Sequence, residues 1–289
     1  MLRLLAFFGC LWAYGGGLGG DLGGSLGGVL SPLASAHTAT PTQTTYLGNE
    51  GIMVSDGHTT VLFDPLYPNG FGTYQMVPDA MRQDLMAGAA PYENIDAIFI
   101  SHMHPDHFSV DEAILYLQTH PDVQLFAPAQ AVDWMREETE DESIFDRVIP
   151  VGLERLDAPL SFRHDELEID VVRIPHAGWP ARADVSNLVW RVTLNDGITV
   201  MHLGDADPND EHFAPHDEHW MVTRTDNAYP PYWFFSMGDG PQILSTRLNA
   251  LKSTGIHVPI ELPVDLFVSG EDFFHTPGET RLIQKVAAE

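Results

Sequence analysis

The chain has 289 residues, with 14 Lys and Arg against 41 Asp and Glu, and its formal net charge is −27. Hydrophobic residues make up 44% of the chain, which is enough for a sizeable core and excludes wholesale disorder. The charge argues against proteins that hold nucleic acid or anionic lipid, because carboxylates repel phosphate, and the single cysteine, Cys10, excludes both an intramolecular disulfide and a cysteine-ligated zinc site.

Residues 1–36 have the three-part pattern of a secretory signal. Arg3 gives a basic start, residues 4–14 are a short apolar stretch, and the sequence A-S-A at 34–36 fits a signal-peptidase site. The apolar stretch is too short to span a bilayer, which needs about 20 residues. We therefore predict a Gly-rich leader over residues 1–36 that is cleaved at its end, and an exported protein, either periplasmic or secreted. A lipid anchor at Cys10 is the alternative.

The first half of the remaining chain alternates between predicted strands and helices. Two short strands surround an Asp-Gly turn over residues 54–65, and a helix follows over residues 78–90. Four further elements follow in chain order: a strand at 95–100, a helix that begins at the capping box of Ser109 and Glu112, a strand at 123–126, and a helix at 129–142 with an acidic end. We interpret that acidic end as a solvated surface.

The second half continues in the same style, without an internal repeat or a long linker. The turn Asn195-Asp196-Gly197 predicts a hairpin, because Gly and its polar neighbours suit tight turns. The predicted elements in chain order are a strand at 167–174, hairpin strands at 188–194 and 199–203, a buried aromatic strand at 232–235, a helix at 243–252 and a last strand at 255–262. Strands and helices in both halves predict one layered α/β domain over residues 37–289.

The loop that follows the strand at 95–100 carries four side chains that can bind metal, in the pattern H-x-H-x-D-H. His102 and His104 project to the same side if the strand geometry continues, so both can reach one ion. Asp106 and His107 lie beyond a proline and can hold a second ion. Imidazole and carboxylate favour zinc, iron or manganese, and the absence of thiolate disfavours a purely structural zinc site.

This loop resembles the signature of the metallo-β-lactamase superfamily, and the resemblance covers most of residues 45–280. It implies the four-layer αββα fold of that superfamily and a dinuclear hydrolytic site. The matching segments are G-N-E-G at 48–51, V-L-F-D-P at 61–65 with Asp64 beneath the metals, V-V-R-I-P-H ending at His176, V-M-H-L-G-D ending at Asp205, and G-I-H-V-P containing His257.

The resemblance also implies a ligand set of seven residues. The first ion would be held by His102, His104 and His176, the second by Asp106, His107 and His257, and both would be bridged by Asp205. We expect two divalent ions, with Zn²⁺ preferred and Mn²⁺ or Fe as alternatives. Asp106 is also the expected catalytic proton acceptor beside the attacking water. Asp64 would accept a hydrogen bond from a ligand imidazole and fix its tautomer.

Other histidines compete for these positions. His275, in the segment F-F-H-T, is the alternative to His257, which we prefer because it lies in a predicted strand. Four more histidines are not expected to be ligands: His202, His212, His216 and His219. Of these, His212 follows Asp205 closely enough in the sequence to contact a ligand.

Three functions from different classes fit this pattern. The first is a metal-dependent hydrolase that uses a metal-bridging hydroxide on a small ester, lactone, amide or phosphodiester. The second is a mononuclear-iron oxidoreductase that is similar to sulfur dioxygenases, and the third is a non-catalytic metal-binding protein. The full ligand set favours the first, but no residue identifies the scissile bond.

The partner we expect is a small-molecule substrate. We predict no nucleic-acid partner and no stable membrane partner, and the sequence leaves the oligomeric state open. Five aromatic residues could form an apolar wall for the substrate, although aromatic segments more often belong to the core: Trp179, Tyr229, Tyr232, Trp233 and Phe234.

Overall fold

A computed structural model describes residues 40–285. The predicted leader over residues 1–36, with its cleavage site and Cys10, lies outside the described residues, so export stays a prediction. The predicted domain limits of 37–289 also stay a prediction. Within residues 40–285, no helix combines the length and the apolar character that crossing a membrane requires.

The first sheet has seven strands. They are β1 Gln43–Gly48, β2 Gly51–Ser55, β3 Thr60–Phe63, β4 Ala97–Phe99, β5 Gln124–Pro128, β6 Val148–Val151 and, from the end of the chain, β12 Thr280–Leu282. Their order is β12-β1-β2-β3-β4-β5-β6. The pairs from β12 to β3 are antiparallel, whereas β3, β4, β5 and β6 run parallel. The carboxyl ends of β3 and β4 therefore meet at one edge of the sheet.

The second sheet has five strands. They are β7 Leu160–His164, β8 Leu167–Arg173, β9 Leu188–Thr193, β10 Thr199–His202 and β11 Asn227–Tyr229. Their order is β11-β10-β9-β8-β7, with only β10 and β11 parallel. The predicted hairpin is confirmed, because β9 and β10 pair antiparallel around the Asn195-Asp196-Gly197 turn.

The helices lie on the outer faces of the two sheets. Three long helices pack their buried residues against the first sheet: α1 Asp79–Ala87, α2 Val110–Thr119 and α3 Ala129–Glu138. The other helices are short: α4 Asp217–Val222, α5 Gly240–Gln242 and α6 Val264–Ser269. The predicted start of α2 is confirmed, since the Ser109 hydroxyl accepts the Glu112 N–H at 3.4 Å.

The inner faces of the two sheets pack on each other through aromatic residues. Phe99 lies 5.1 Å from Phe63 and 4.9 Å from Phe126, measured between ring centroids. Trp190 of the second sheet packs 5.3 Å from Phe99, and its indole N–H donates to the Ile100 carbonyl. Burial of one such ring stabilises the fold by about 1.5–3 kcal/mol. Two packed sheets with helices outside confirm the predicted four-layer αββα architecture.

Two predicted strands are wrong. Tyr232–Phe235 is a 3-10 helix, in which the adjacent residues Trp233 and Phe234 are both buried, whereas a half-buried strand would bury alternate residues. Residues 255–262 form only isolated bridges, and His257 has a φ of 56°, which breaks an extended path. The predicted helix at 243–252 is a π-helical turn that ends at Arg247.

Candidate metal centre

Four segments bring the seven predicted ligands together at one edge of the two sheets, and a fifth supplies Asp64. The loop after β4 carries the H-x-H-x-D-H segment, the loop after β8 carries His176, and the loop after β10 carries Asp205. His257 comes from the irregular segment near the end of the chain, and the loop after β3 places Asp64 beneath the others. All seven predicted ligands lie in two adjoining groups whose donor atoms are within 4.8 Å of one another in each group.

The first group contains three histidines and one carboxylate. The Nδ1 of His104 lies 3.0 Å from the Nε2 of His102 and 3.1 Å from the Nε2 of His176. The Oδ2 of Asp205 lies 3.1 Å from the Nε2 of His176. Ligands about 2.0–2.1 Å from a tetrahedral ion are about 3.3–3.4 Å apart, so these four atoms fit one ion.

The second group contains Asp106, His107 and His257. The Oδ2 of Asp106 lies 3.5 Å from the Nε2 of His257 and 3.7 Å from the Nε2 of His107. The Oδ1 of Asp205 lies 3.1 Å and 3.4 Å from the same two nitrogens. One oxygen of Asp205 therefore faces each group, which is the geometry of a bridging carboxylate.

The proton positions on three histidines are set by neighbouring acceptors. The Ser101 hydroxyl donates to the Oδ2 of Asp64, so it accepts the Nδ1–H of His102 at 3.0 Å. The same Asp64 oxygen accepts the Nδ1–H of His107 at 2.9 Å, and the Ala177 carbonyl accepts the Nδ1–H of His176 at 2.7 Å. When an ion is bound, each of these imidazoles would therefore present an unprotonated Nε2 to its group.

Three donor atoms at the centre are buried without a hydrogen-bond partner. Within the described residues they are the Nε2 of His107, the Nε2 of His257 and the Oδ1 of Asp205, and the two nitrogens lie 3.4 and 3.1 Å from that oxygen. Buried polar atoms are almost always paired, and a cation between them would satisfy all three. The nitrogen and carboxylate donors, without sulfur, suit zinc, manganese or iron. The residues fit two divalent ions.

Burial and charge separate the histidine pKa values of the two groups. Burial lowers the pKa of His102 well below its usual value and that of His104 to about 4, so both are neutral. Burial also acts to lower the pKa values of His107 and His257, but the Asp205 carboxylate overcomes it. The pKa of His107 rises well above its usual value and that of His257 rises to about 9. In the metal-free chain these two imidazoles hold protons that an ion must displace.

The carboxylates of the centre stay ionised. Burial alone would raise the pKa of Asp205, but His257 and His107 hold it well below its usual range. The pKa of Asp106 is also lowered against the effect of burial, chiefly by His257, whose Nε2 lies 3.5 Å from the Oδ2 of Asp106. Both side chains can therefore offer oxygen lone pairs to a cation at neutral pH.

Three residues with left-handed backbone conformations support the centre. The φ values are 43° at Asn49, 41° at Asp64 and 56° at His257, and none of the three is glycine. The Asn49 carbonyl accepts the His257 N–H at 3.0 Å, and its side-chain amide donates to the Asp106 carbonyl at 2.9 Å. Such strain costs of the order of 1 kcal/mol or more per residue and concentrates at functional sites.

Sequence reasoning missed one buried acid. Glu50 is fully buried, its carboxyl oxygens have no hydrogen-bond partner, and burial raises its pKa well above the usual value. Its Oε2 lies 3.7 Å from the Nδ1 of His107 and 3.6 Å from the Nε2 of His202. The available signal is an acid in the G-N-E-G segment, at the turn between β1 and β2.

The remaining histidines lie outside the two ligand groups. His202 accepts the Gly204 N–H at Nδ1 and donates from Nε2 to the Glu50 carbonyl, so it has no free lone pair for an ion. The Nε2 of His275 lies 3.2 Å from the Ile260 carbonyl. His212 is 3.9 Å from an oxygen of Asp207. His216 and His219 pack edge-on against Trp220.

A cavity of about 600 Å³ lies beside the metal centre. Ala177, next to His176, is part of its wall, and Trp233, whose ring centroid lies 5.2 Å from that of His257, is another part. The full lining is Ala177, Gly178, Asp207, Pro208, Asn209, Tyr232, Trp233, Met237, Gly238 and Asp239. The predicted aromatic wall is thus divided: Tyr232 and Trp233 line the cavity, Tyr229 and Phe234 are fully buried in the core, and Trp179 is not part of the lining.

The sequence over residues 43–219 matches the family model of the beta-lactamase superfamily domain. This match covers more than half of the chain. The chain belongs to this family. The predicted membership of the metallo-β-lactamase superfamily is thereby confirmed, and none of the curated proteins compared with the chain is significantly similar to it.

Solved structures of the same fold agree with this family assignment. The chain is similar to the metallo-beta-lactamase fold protein YhfI from Bacillus subtilis (17% identity, 84% of this chain and 99% of that one, TM-score 0.56). It is also similar to the metallo hydrolase Igni18 from Ignicoccus hospitalis (16% identity, 86% of this chain and 100% of that one, TM-score 0.58). A third similar structure is that of a possible metal-dependent hydrolase from Veillonella parvula (18% identity, 84% of this chain and 100% of that one, TM-score 0.58). At these identities the likeness establishes the fold alone.

Proposed function

We propose that this beta-lactamase superfamily protein is a metal-dependent hydrolase with two zinc ions, acting on a small ester, lactone, amide or phosphodiester. The observation that carries the proposal is the position of Asp205, whose Oδ2 faces the first group and whose Oδ1 faces the second. When bound, two such ions would lower the pKa of a shared water and so supply hydroxide at neutral pH.

The chain's own residues would hold and orient this chemistry. Asp64 fixes the tautomers of His102, through Ser101, and of His107. Asp106 stays ionised at neutral pH because His257 lowers its pKa. We propose it as the proton acceptor as well as a ligand, since its Oδ2 lies at the edge of the second group. The adjoining cavity would receive the substrate.

Two other hypotheses from the sequence are less well supported. A mononuclear-iron oxidoreductase needs only one metal position, whereas the donor atoms here form two groups that share Asp205. A non-catalytic metal-binding protein does not account for the cavity beside the centre. Both remain outcomes of the test below.

We also propose that the protein acts outside the cytoplasm on a small-molecule substrate, without a nucleic-acid or stable membrane partner. The leader pattern at residues 1–36 supports export. The net charge of −27 supports the expectation that phosphate backbones and anionic lipid are repelled.

Elemental analysis and a substrate panel test the proposal. The purified protein is stripped with a chelator, reloaded with Zn²⁺, Mn²⁺ or Fe²⁺, and assayed on chromogenic esters, lactones, anilides and phosphodiesters. We expect close to two zinc ions per chain and metal-dependent turnover of at least one class. One iron per chain with oxygen consumption would favour the oxidoreductase. Two ions without turnover of any class would favour the metal-binding protein.

A matched pair of variants compares the loss of a predicted metal ligand with the loss of a surface carboxylate. Asp265→Ala removes an exposed carboxylate on α6, away from the ligand groups, and should keep both ions and full turnover. His176→Ala removes a first-group ligand and should lose both metal and turnover. Equal behaviour of the two variants would contradict the proposed centre.

A further inference from the structure

Arg182 is an exposed arginine at the mouth of the metal centre. Its Nη1 lies 3.3 Å from the Nε2 of His104, and within residues 40–285 no carboxylate forms an ion pair with it. The chain has 41 acidic and 14 basic residues, and most arginines of the described residues have a carboxylate partner. Other arginines of the described chain have such partners, for example Arg247 with Asp210 and Arg281 with Asp272.

The position of Arg182 is fixed by the loop that leads from His176. The Gly178 and Trp179 N–H groups both donate to the Oδ2 of Asp207, at 3.1 and 3.2 Å. The Arg182 stem lies against Gly178, because a Cβ on that glycine would be 3.8 Å from the Cγ of Arg182. Gly178 is also part of the cavity lining. The stem of Arg182 thus runs along Gly178 of the cavity wall, and its guanidinium reaches His104 of the first ligand group.

The contact between Arg182 and His104 depends on which nitrogen carries the imidazole proton. The Nδ1 of His104 faces the Nε2 atoms of His102 and His176, at 3.0 and 3.1 Å. If Nδ1 gives its lone pair to an ion, the proton stays on Nε2. Two N–H donors, from His104 and Arg182, then face each other and cannot bond to one another. An acceptor beside this pair, at hydrogen-bond distance from each nitrogen, can accept from both.

We infer that His104 and Arg182 form an anion-binding position, and that the substrate is an ester, lactone or amide with an anionic group and an apolar portion. The inference rests on the proposed hydrolase. A carboxylate or similar anion accepts from the guanidinium fork and from the imidazole N–H. The apolar portion lies in the adjoining cavity against Tyr232, Trp233 and Met237. Arg182 is a specificity-determining residue here, since it selects anionic over neutral substrates.

A binding experiment tests this position without turnover. The probe is naphthalene-2-sulfonate, because sulfonate coordinates metals weakly, and its neutral match is naphthalene-2-methanol. Binding to the zinc-loaded protein is followed by tryptophan fluorescence. Arg182→Ala should weaken sulfonate binding about 10-fold, the effect of a lost charge-assisted hydrogen bond, and should leave binding of the neutral alcohol unchanged. Arg182→Lys should fall between.

The control is Arg163→Ala, which removes an exposed guanidinium paired with Glu168 on the edge of the second sheet. It should bind both probes as the unchanged protein does, and every variant should retain two zinc ions. Absence of sulfonate binding in the unchanged protein, equal binding after Arg182→Ala, or equal weakening by Arg163→Ala would each overturn the inference. Failure of the hydrolase proposal would be visible separately, as a zinc-loaded protein that binds the sulfonate but hydrolyses nothing.

Discussion

The Nε2 of His257 lies 3.1 Å from the Oδ1 of Asp205, and neither atom has a hydrogen-bond partner within the described residues. The other oxygen of Asp205 lies 3.1 Å from the Nε2 of His176. A single carboxylate therefore links a histidine near the end of the chain with one in its middle. The contact between His257 and Asp205 in the second group is not a hydrogen bond. The second group therefore depends on what binds between these two atoms.

Replacing Asp205 by Ala should remove one metal equivalent and most of the activity. The variant loses the side chain whose two oxygens face the two groups. Removing a residue that merely supports a ligand already costs about 10–100-fold in metal affinity or activity, so a larger loss is expected here. Metal content by elemental analysis and turnover on the best substrate of the panel check this. Two retained ions with full turnover would remove Asp205 from the bridging position.

The choice between His257 and His275 gives a second prediction. His257→Ala should lose the ion of the second group, because His257 contributes its Nε2 there. His275→Ala should keep two ions, since the Nε2 of His275 lies against the Ile260 carbonyl. Metal titration of both variants measures the difference, and loss of an ion only in His275→Ala would exchange the two assignments.

Asp64 gives a third prediction, because it acts through the ligands and not as one of them. Asp64→Ala removes the acceptor for His107 and for the Ser101 hydroxyl, so metal affinity should fall about 10–100-fold. Asp64→Asn keeps one acceptor oxygen and should fall less. Competition with a chromophoric chelator measures both affinities. An Asn variant as weak as the Ala variant would point to charge, and not tautomer control, as the function of Asp64.

Much of the site could be predicted because its residues follow regular elements. The loop after β4 and the residues that end at His176 and Asp205 come after apolar strands, whose pattern is visible locally. The strand around His257 could not be predicted correctly. The left-handed backbone of His257 is held by a hydrogen bond to the carbonyl of Asn49, which is distant in the sequence. Local β propensity therefore predicted the wrong structure around His257.

Two further errors have the same physical origin. Tyr232–Phe235 has the composition of a strand. In the fold, however, the indole N–H of Trp233 donates to the Ala206 carbonyl, and the short helix buries both Trp233 and Phe234. Glu50 was missed although it lies in the G-N-E-G segment, because its complete burial exists only in the folded protein. Tertiary packing decided each case.

Processing of the leader gives a fourth prediction. If residues 1–36 are a cleaved secretory signal, the exported protein begins at His37 and lacks Cys10. N-terminal sequencing of protein recovered from the periplasm or medium of a bacterial host checks this. A lipid-modified protein that retains Cys10 in the membrane fraction would support the anchor instead.

Metal loading of the second group should depend strongly on pH. The Asp205 carboxylate, acting against burial, raises the pKa of His107 and raises that of His257 to about 9, so an ion that binds below pH 9 must displace protons. Affinity for the second ion should therefore rise about tenfold per pH unit for each displaced proton as the pH increases toward 9. His104, whose pKa burial lowers to about 4, should contribute little to this dependence above pH 5, and burial shifts the pKa of His102 in the same direction.

The same pKa shifts predict the opposite pH trend for stability without metal. A histidine whose folded pKa is raised stabilises the fold fully below its unfolded value near 6.5, and this contribution disappears as the pH rises through the folded value near 9. The metal-free protein should consequently lose stability between pH 6.5 and 9, whereas the zinc-loaded protein should gain from tighter binding. Thermal unfolding with and without zinc at pH 6.5, 7.5 and 8.5 measures both trends, and parallel curves would contradict protonation of His257 in the metal-free centre.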